Sequence, residues 1–372
     1  MEDARHWLAL ARSPGGRATL GALLDELGSP AALFAAKPAR LRAAGLDAEA
    51  LRWFAAPDWA AIDADLAWLE GSGTTLLVRG AANYPPLLAL APDPPLMLFV
   101  RGQPEVLTLP ALAIVGSRNP TAPGRRDAED FANTLGGAGF TIVSGLALGI
   151  DAAAHQGALA AGASTVAVCA PGLDRVYPAR HRELATRIMA RGALISEFAP
   201  GTRPLRHHFP LRNRIIAGLS LGTLVVEAAA QSGSLITARL AGEAGRSVFA
   251  IPGSIHNPLA KGCHRLIRDG ATLVENAADV VAELGNVTGI ALAAVEASAD
   301  AHTDDPEHAR VFGEVDWAPT PIDAIVERSG LTMAVVSSTL LMLELQGRVA
   351  AQAGGRYVRI NAPRIDPGEE QR

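Results

Sequence analysis

Leu112-Ala-Ile-Val-Gly-Ser-Arg118, followed by Asn119-Pro-Thr-Ala-Pro-Gly124, is the stretch on which the fold turns. Four apolar residues in a row, two of them β-branched, predict a parallel strand buried on both faces. The strand stops at Gly116, where a backbone without Cβ turns sharply and admits a close approach. Ser117 and Arg118 then fall on the loop at the strand's carboxyl end, and Arg125 to Gly136 reads as the helix that follows. In open α/β sheets ligands gather at that edge. Arg118 brings a fixed positive charge with a fork suited to phosphate. An ordinary turn with a solvated arginine accounts for the same residues equally well. No G-x-G-x-x-G follows the strand, so the dinucleotide fingerprint is absent.

Outward from this strand, residues 111 to 285 alternate short apolar runs with alanine-rich helical stretches. Strands are expected at Ala111–Val115, Phe140–Val143, Thr165–Cys169, Ala193–Ile195, Thr223–Val226, Ser247–Ile251 and Thr272–Leu273, with Asp151–Ala161 and Ser234–Ala244 as the clearest helices. This is the pattern of an α/β doubly wound parallel sheet. Upstream, residues 66–110 add two strands, Thr74–Val78 and Leu96–Val100, around the proline clusters at Tyr84-Pro-Pro86 and Pro92-Asp-Pro-Pro95. Residues 1–65 read as a separate small domain of four or five short helices. Residues 286–309, with Asp300, Asp304, Asp305 and Glu307, read as a linker. Helices at Pro321–Arg328 and Ala334–Gln346, then a hairpin of Arg348–Ala351 and Arg356–Ile360, make residues 310–362 a winged-helix domain.

Composition narrows the function classes. The 372 residues carry a formal net charge of −5, so a nucleic-acid surface has to be local. Cys169 and Cys263 are too few for a disulfide framework or a cysteine-rich zinc site, which points to a reducing cytoplasm. The first residues do not read as a secretory signal, and no run of about 18 apolar residues spans a membrane.

The charge is local indeed. Between Pro171 and Arg214 nine arginines face Asp174, Glu183 and Glu197, leaving +6. The densest part, Arg203-Pro-Leu-Arg206-His-His-Phe-Pro-Leu-Arg212-Asn-Arg214, has no acid and reads as a loop gripping several phosphates. Phe209 is placed to stack on a base, as aromatic side chains do in single-strand binders. Two further loops end on the same sheet edge. Ser144-Gly-Leu-Ala-Leu-Gly-Ile-Asp151 supplies a hydroxyl, with Asp151 expected to cap the next helix and His155 one turn on. Gln231-Ser-Gly-Ser-Leu-Ile-Thr237 places hydroxyls around a helix start, an anion cradle. No P-loop, H-E-x-x-H, G-x-S-x-G or deaminase cysteine pair occurs. Glu227, at a strand end, is a candidate acid or base without a recognisable nucleophile beside it.

Ile114-Val-Gly-Ser-Arg118, Ser144-Gly-Leu-Ala-x-Gly-Ile-Asp151 with His155, Phe209-Pro-x-Arg-Asn-Arg-Ile-Ile-Ala-Gly218, Val226-Glu-Ala228, Ser232-Gly-Ser-Leu-Ile-Thr237 and Pro252-Gly253 together resemble the DNA-processing protein A (DprA/Smf) family. The resemblance runs from Tyr84 to Ala271 and implies an extended Rossmann-like core between a helical SAM-like domain and a winged helix. It also implies a cytoplasmic homodimer, paired through the Rossmann-like domain. Such a protein would bind single-stranded DNA without sequence preference, protect it during natural transformation and load a RecA-type recombinase. No cofactor, metal, membrane or chemical step is expected. Carried over, Arg118, Arg206, Arg212 and Arg214 would hold phosphates, with Ser144, Gly145, Ser232, Gly233 and Ser234 lining the pocket. The full candidate set adds Gly116, Ser117, His207, Phe209, Asn213, Thr237 and Lys261. Leu148 stands where many members have arginine, which removes one phosphate contact. The alternative from another class is a Rossmann-like nucleoside-monophosphate N-glycosidic hydrolase using Glu227 and Arg118. A third is a transcription regulator acting through the winged helix.

Overall fold

The strand Ala111–Val115 is buried at every residue and lies in the interior of a nine-stranded sheet, paired on both sides. The computed structural model describes residues 2–288, 306–345, 348–352 and 354–359. It divides into two compact units, Met1–Ala299 and Asp300–Arg372.

The first unit opens with six helices: α1 (Glu2–Ala11), α2 (Arg17–Leu27), α3 (Pro30–Phe34), α4 (Pro38–Ala43), α5 (Ala48–Ala55) and α6 (Trp59–Ser72). Ser29, Asp47 and Asp58 cap α3, α5 and α6 through side-chain oxygens. Helix α6 runs across residue 65, where the helical segment was expected to end, and these helices belong to the same compact unit as the sheet. Then follow β1 (Thr75–Val78), α7 (Pro86–Ala89), β2 (Met97–Gly102), β3 (Ala111–Val115), α8 (Ala122–Gly137), β4 (Thr141–Ser144), α9 (Ile150–Ala160), β5 (Thr165–Val168), α10 (Arg182–Arg191), β6 (Ala193–Ser196), α11 (His208–Leu219), β7 (Gly222–Val225), α12 (Ser234–Glu243), β8 (Ser247–Ala250), α13 (Lys261–Arg268), β9 (Thr272–Leu273) and α14 (Ala277–Thr288).

The sheet order is β1-β2-β6-β5-β4-β3-β7-β8-β9. Strands β3 to β9 are parallel, while β1 and β2 extend the edge antiparallel, so the sheet is mixed rather than purely parallel. Helices cover both faces. Leu112, Ile114, Ile142, Leu224 and Phe249 pack under α8, α9 and α14, and Val115, Val143, Val166 and Val225 pack under α11, α12 and α13. The chain moves outward from β3 through β4, β5 and β6, then returns to the other side of β3 with β7. The strand order therefore reverses between β3 and β7, and the crevice at such a reversal is where this architecture receives ligands. Among the described residues no single helix is long and apolar enough to cross a membrane.

The second unit contains α15 (Pro306–Gly313), β10 (Thr320–Pro321), α16 (Ile322–Ser329), α17 (Met333–Leu345), β11 (Val349–Gln352) and β12 (Arg356–Arg359). Strand β12 lies between β10 and β11, and Val311, Ile325, Val336, Leu340, Leu343 and Val349 form its core. The segment expected as a linker is helical at both described ends, 286–288 in α14 and 306–309 in α15. Its centre, 289–305, and residues 360–362 of the expected winged helix lie outside the described residues.

Candidate nucleic-acid interface

A cleft of about 750 Å³ opens at the carboxyl edge of the sheet where the strand order reverses. The β3 exit contributes Gly116 and Arg118, the segment after β6 contributes Arg206, α11 contributes Phe209, Arg212 and Asn213, and the loop into α12 and its first turn contribute Ser232, Gly233, Ser234 and Thr237. Ten of the expected residues thus line one cavity. Asp151, Tyr177, Pro204 and Ile236 complete much of its wall.

The charges divide by burial. Arg118 and Arg206 are exposed, and among the described residues neither guanidinium has an ion-pair partner. The Arg118 guanidinium lies 5.3 Å from the Phe209 ring centre, and Tyr177 is 5.9 Å from the same ring. Arg212 is buried at the cleft floor, where Nη2 donates to the Gly145 carbonyl at 3.1 Å and lies 3.8 Å from Asp151. Its neutralised charge fixes the floor, and the free charges at the rim are left for an anion.

Asp151 does not cap its own helix. Its Oδ2 accepts from the amides of Gly145 (3.1 Å) and Ala147 (3.2 Å), folding the preceding loop back on itself. Burial pushes its carboxyl up, opposed chiefly by Arg212. Between those two amides sits Leu146, a buried leucine at φ 56, a left-handed conformation that costs on the order of 1 kcal/mol for a side chain of this size. Its carbonyl meets His181 Nδ1 at 3.0 Å. The loop is therefore held on both sides. Gly145 is required by Arg212, because a Cβ there would fall 1.8 Å from Nη1. Gly149, at φ 79, would place a Cβ 2.3 Å from the Ser117 carbonyl.

Several expectations change. The 203–214 run is not one loop: from His208 onward it is helix α11, whose first turn tolerates Pro210 because its N–H has no intrahelical partner to lose. Arg214 is directed away from phosphate duty. Its side chain is 11% exposed, paired with Glu197 and with Asp93 at 3.1 Å. Ser144 is fully buried and donates to the Ile114 carbonyl at 2.7 Å, bracing β4 on β3. Ser117, His207 and Lys261 stand outside the cleft lining, and Gly145 borders a smaller neighbouring cavity. In the Ser232–Thr237 loop the amides of residues 234, 235 and 236 are engaged in the local turn. What it offers is the Ser232 and Ser234 hydroxyls, 2.7 Å apart. His155 is a core residue on Thr165, its pKa lowered by burial to about 3. Glu227 accepts from the Thr121 amide at 2.9 Å and hydroxyl at 2.7 Å, tying β7 to the start of α8, and it does not line the cleft. Tyr177 was not marked by the sequence, where it is one aromatic in an irregular turn. Among the described residues there is no cluster of side chains able to hold a metal.

The DNA recombination-mediator protein A family model matches residues 75–285, which carry the whole cleft. The chain belongs to this family. A DprA winged-helix model matches residues 295–355. The DprA-type relatives include Protein Smf of Escherichia coli (strain K12), 43% identical over 304 residues that cover 80% of this chain and 81% of that protein. The DNA processing protein DprA of Streptococcus pneumoniae is 48% identical over 200 residues, 54% of this chain and 71% of that one. Two solved DprA structures are similar to this chain. That of S. pneumoniae has a TM-score of 0.61 and 40% identity over 67% of this chain and 87% of its own. That of Helicobacter pylori, described for its single-stranded DNA binding mode, has a TM-score of 0.52 and 29% identity over 57% of this chain and 96% of its own.

Proposed function

We propose that this chain binds single-stranded DNA across the cleft, without sequence preference and without a chemical step. In that reading it protects DNA entering the cytoplasm during natural transformation and delivers it to a RecA-type recombinase, as a homodimer through the Rossmann-like domain. The observation that carries the DNA reading is the cleft itself. Two arginines without ion-pair partners, Arg118 and Arg206, line it together with the aromatic pair Tyr177 and Phe209, which suits it to backbone phosphates and an unstacked base. The +6 excess supports it after correction for burial, because Arg180, Arg182, Arg187, Arg203 and Arg206 remain exposed while Arg212 and Arg214 are consumed internally. Recombinase delivery and the dimer rest on family membership and on the single-strand binding described for the H. pylori relative.

The hydrolase alternative gives the acid or base role to Glu227, which instead serves the α8 cap and does not line the cleft. The Asp151 carboxylate in the cleft wall is held by the Gly145 and Ala147 amides and Arg212. The duplex-reading alternative needs cations on the last helix before the hairpin of the winged domain. Helix α17, MAVVSSTLLMLEL, has none. The test is fluorescence anisotropy with oligothymidine and with a duplex of equal length, beside a free-base release assay on a panel of nucleoside monophosphates. Preference for the single strand with no base release is expected. Tighter duplex binding, or catalytic base release, refutes the reading.

A further inference from the structure

The segment joining β6 to α11, residues 197–207, carries Arg206 to the cleft rim, and two of its ties come from the N-terminal helices, through Arg12 and Arg17. Arg12, just past the end of α1, donates Nη2 to Asp65 Oδ1 at 2.7 Å and to the Pro200 carbonyl at 3.2 Å. Arg17, the first residue of α2, reaches Glu197 at 3.3 Å and Asp93 at 3.5 Å. Glu197 and Asp93 are also the two partners of Arg214 on α11. Both ends of the gripping segment are thus tied to one cluster: Glu197 at its start, Arg214 on the helix it leads into. The Glu197 side chain is 5% exposed, and α11 is the helix that bears Phe209, Arg212 and Asn213. Neither Arg12 nor Arg17 lines the cleft.

We propose that Arg12 and Arg17 are positioning residues for single-stranded DNA, through which the helical domain braces the gripping segment without touching the strand. The inference rests on the DNA reading above. A brace of this kind works by ordering Arg206 and the start of α11 before the ligand arrives, so that binding does not have to order them. The carboxylate cluster makes the fork of arginine necessary: one guanidinium has to span Glu197 and Asp93, which a lysine ammonium, as a point charge, does not.

The test separates bracing from contact by salt dependence. Oligothymidine binding is measured across a salt series for the full chain, Arg17→Ala, Arg17→Lys and Arg206→Ala. A residue that only positions lowers affinity at every salt concentration and leaves the slope of log affinity against log salt unchanged. A phosphate contact removes about 0.7 from that slope. Arg17→Ala is expected to bind about tenfold more weakly, the cost of ordering one or two long side chains on binding. Its slope should match wild type, with Arg17→Lys only partly rescued. Affinity equal to wild type overturns the brace, and so does a slope flattened as much as in Arg206→Ala. Should Arg17→Ala fail to fold, Arg17→Lys is read by the same two criteria. Failure of wild type itself to bind the strand refutes the DNA reading, a distinguishable result.

Discussion

Gly145→Ala is the most demanding perturbation of the cleft floor. The backbone at Gly145 is not in the left-handed region, so alanine is conformationally acceptable there. The obstacle is one side chain: the new Cβ would lie 1.8 Å from Arg212 Nη1 and 2.1 Å from Cζ. Arg212 is 6% exposed and hydrogen-bonded to the Gly145 carbonyl, so its guanidinium has to leave the floor. Expulsion leaves Asp151 buried without its cation. Breaking a buried pair from one side costs about 3–5 kcal/mol, and the two amides retained by Asp151 favour the lower end. About 3 kcal/mol corresponds to a fall in melting temperature of roughly 6–10 °C for a domain of this size. The assay is thermal unfolding followed by circular dichroism, together with oligothymidine binding, for Gly145→Ala, Arg212→Ala and the double variant. With Arg212 already gone, adding Gly145→Ala should cost almost nothing, so the two effects should be strongly non-additive. Strict additivity, or wild-type stability of Gly145→Ala, refutes the reasoning.

Two other outcomes follow from the same geometry. Phe209→Ala should weaken oligothymidine binding by roughly 10-fold, since a base–aromatic stack contributes about 1–3 kcal/mol, while leaving the salt slope unchanged. Titrations across salt check this, and a flattened slope contradicts it. Asp127 on α8 has its pKa pushed up to about 6, first by burial and then by Asp130 and Glu227. Its carboxylate form is the one the fold disfavours, so wild type regains stability as pH falls from about 6 towards the ordinary aspartate value of 3.8. Asp127→Asn should therefore stabilise at pH 7.5 by about 1 kcal/mol, less than the ~3 kcal/mol of a two-unit shift because the group is partly exposed. Urea unfolding should show the gain at pH 7.5 and its loss near pH 4, and an equal gain at both contradicts the assignment.

Much of the fold was legible because its signals are local. The Ala111–Val115 run, buried on both faces, and the small residues at strand exits describe a parallel sheet without further information. The direction of β1 and β2 was not legible, since antiparallel pairing at an edge is settled by the partner strand and not by the strand's own pattern. Helix α11 hid behind His207-His-Phe-Pro210, because a proline in a first turn looks like a proline in a loop. Among the site residues, Arg118, Arg206, Phe209 and the Ser232–Ser234 pair share one cleft, because strand exits and helix starts meet at the same sheet edge. Arg214 was misread because the acids that claim it, Glu197 and Asp93, are distant in sequence from its run of cations. Asp151 was misread for a related reason: a carboxylate at a helix start ordinarily caps forward, and here Arg212 turns it back onto Gly145 and Ala147.

The account stands most directly on whether phosphates are held at the cleft rim. Oligothymidine binding measured over a salt series for wild type, Arg118→Ala and Arg206→Ala decides it. The two free arginines of the rim alone account for a slope of log affinity against log salt of about −1.4, so wild type should be at least that steep, and each substitution should weaken binding and flatten the slope by about 0.7. A slope near zero in wild type, or variants that bind with wild-type affinity and slope, contradicts the placement of DNA on this edge of the sheet.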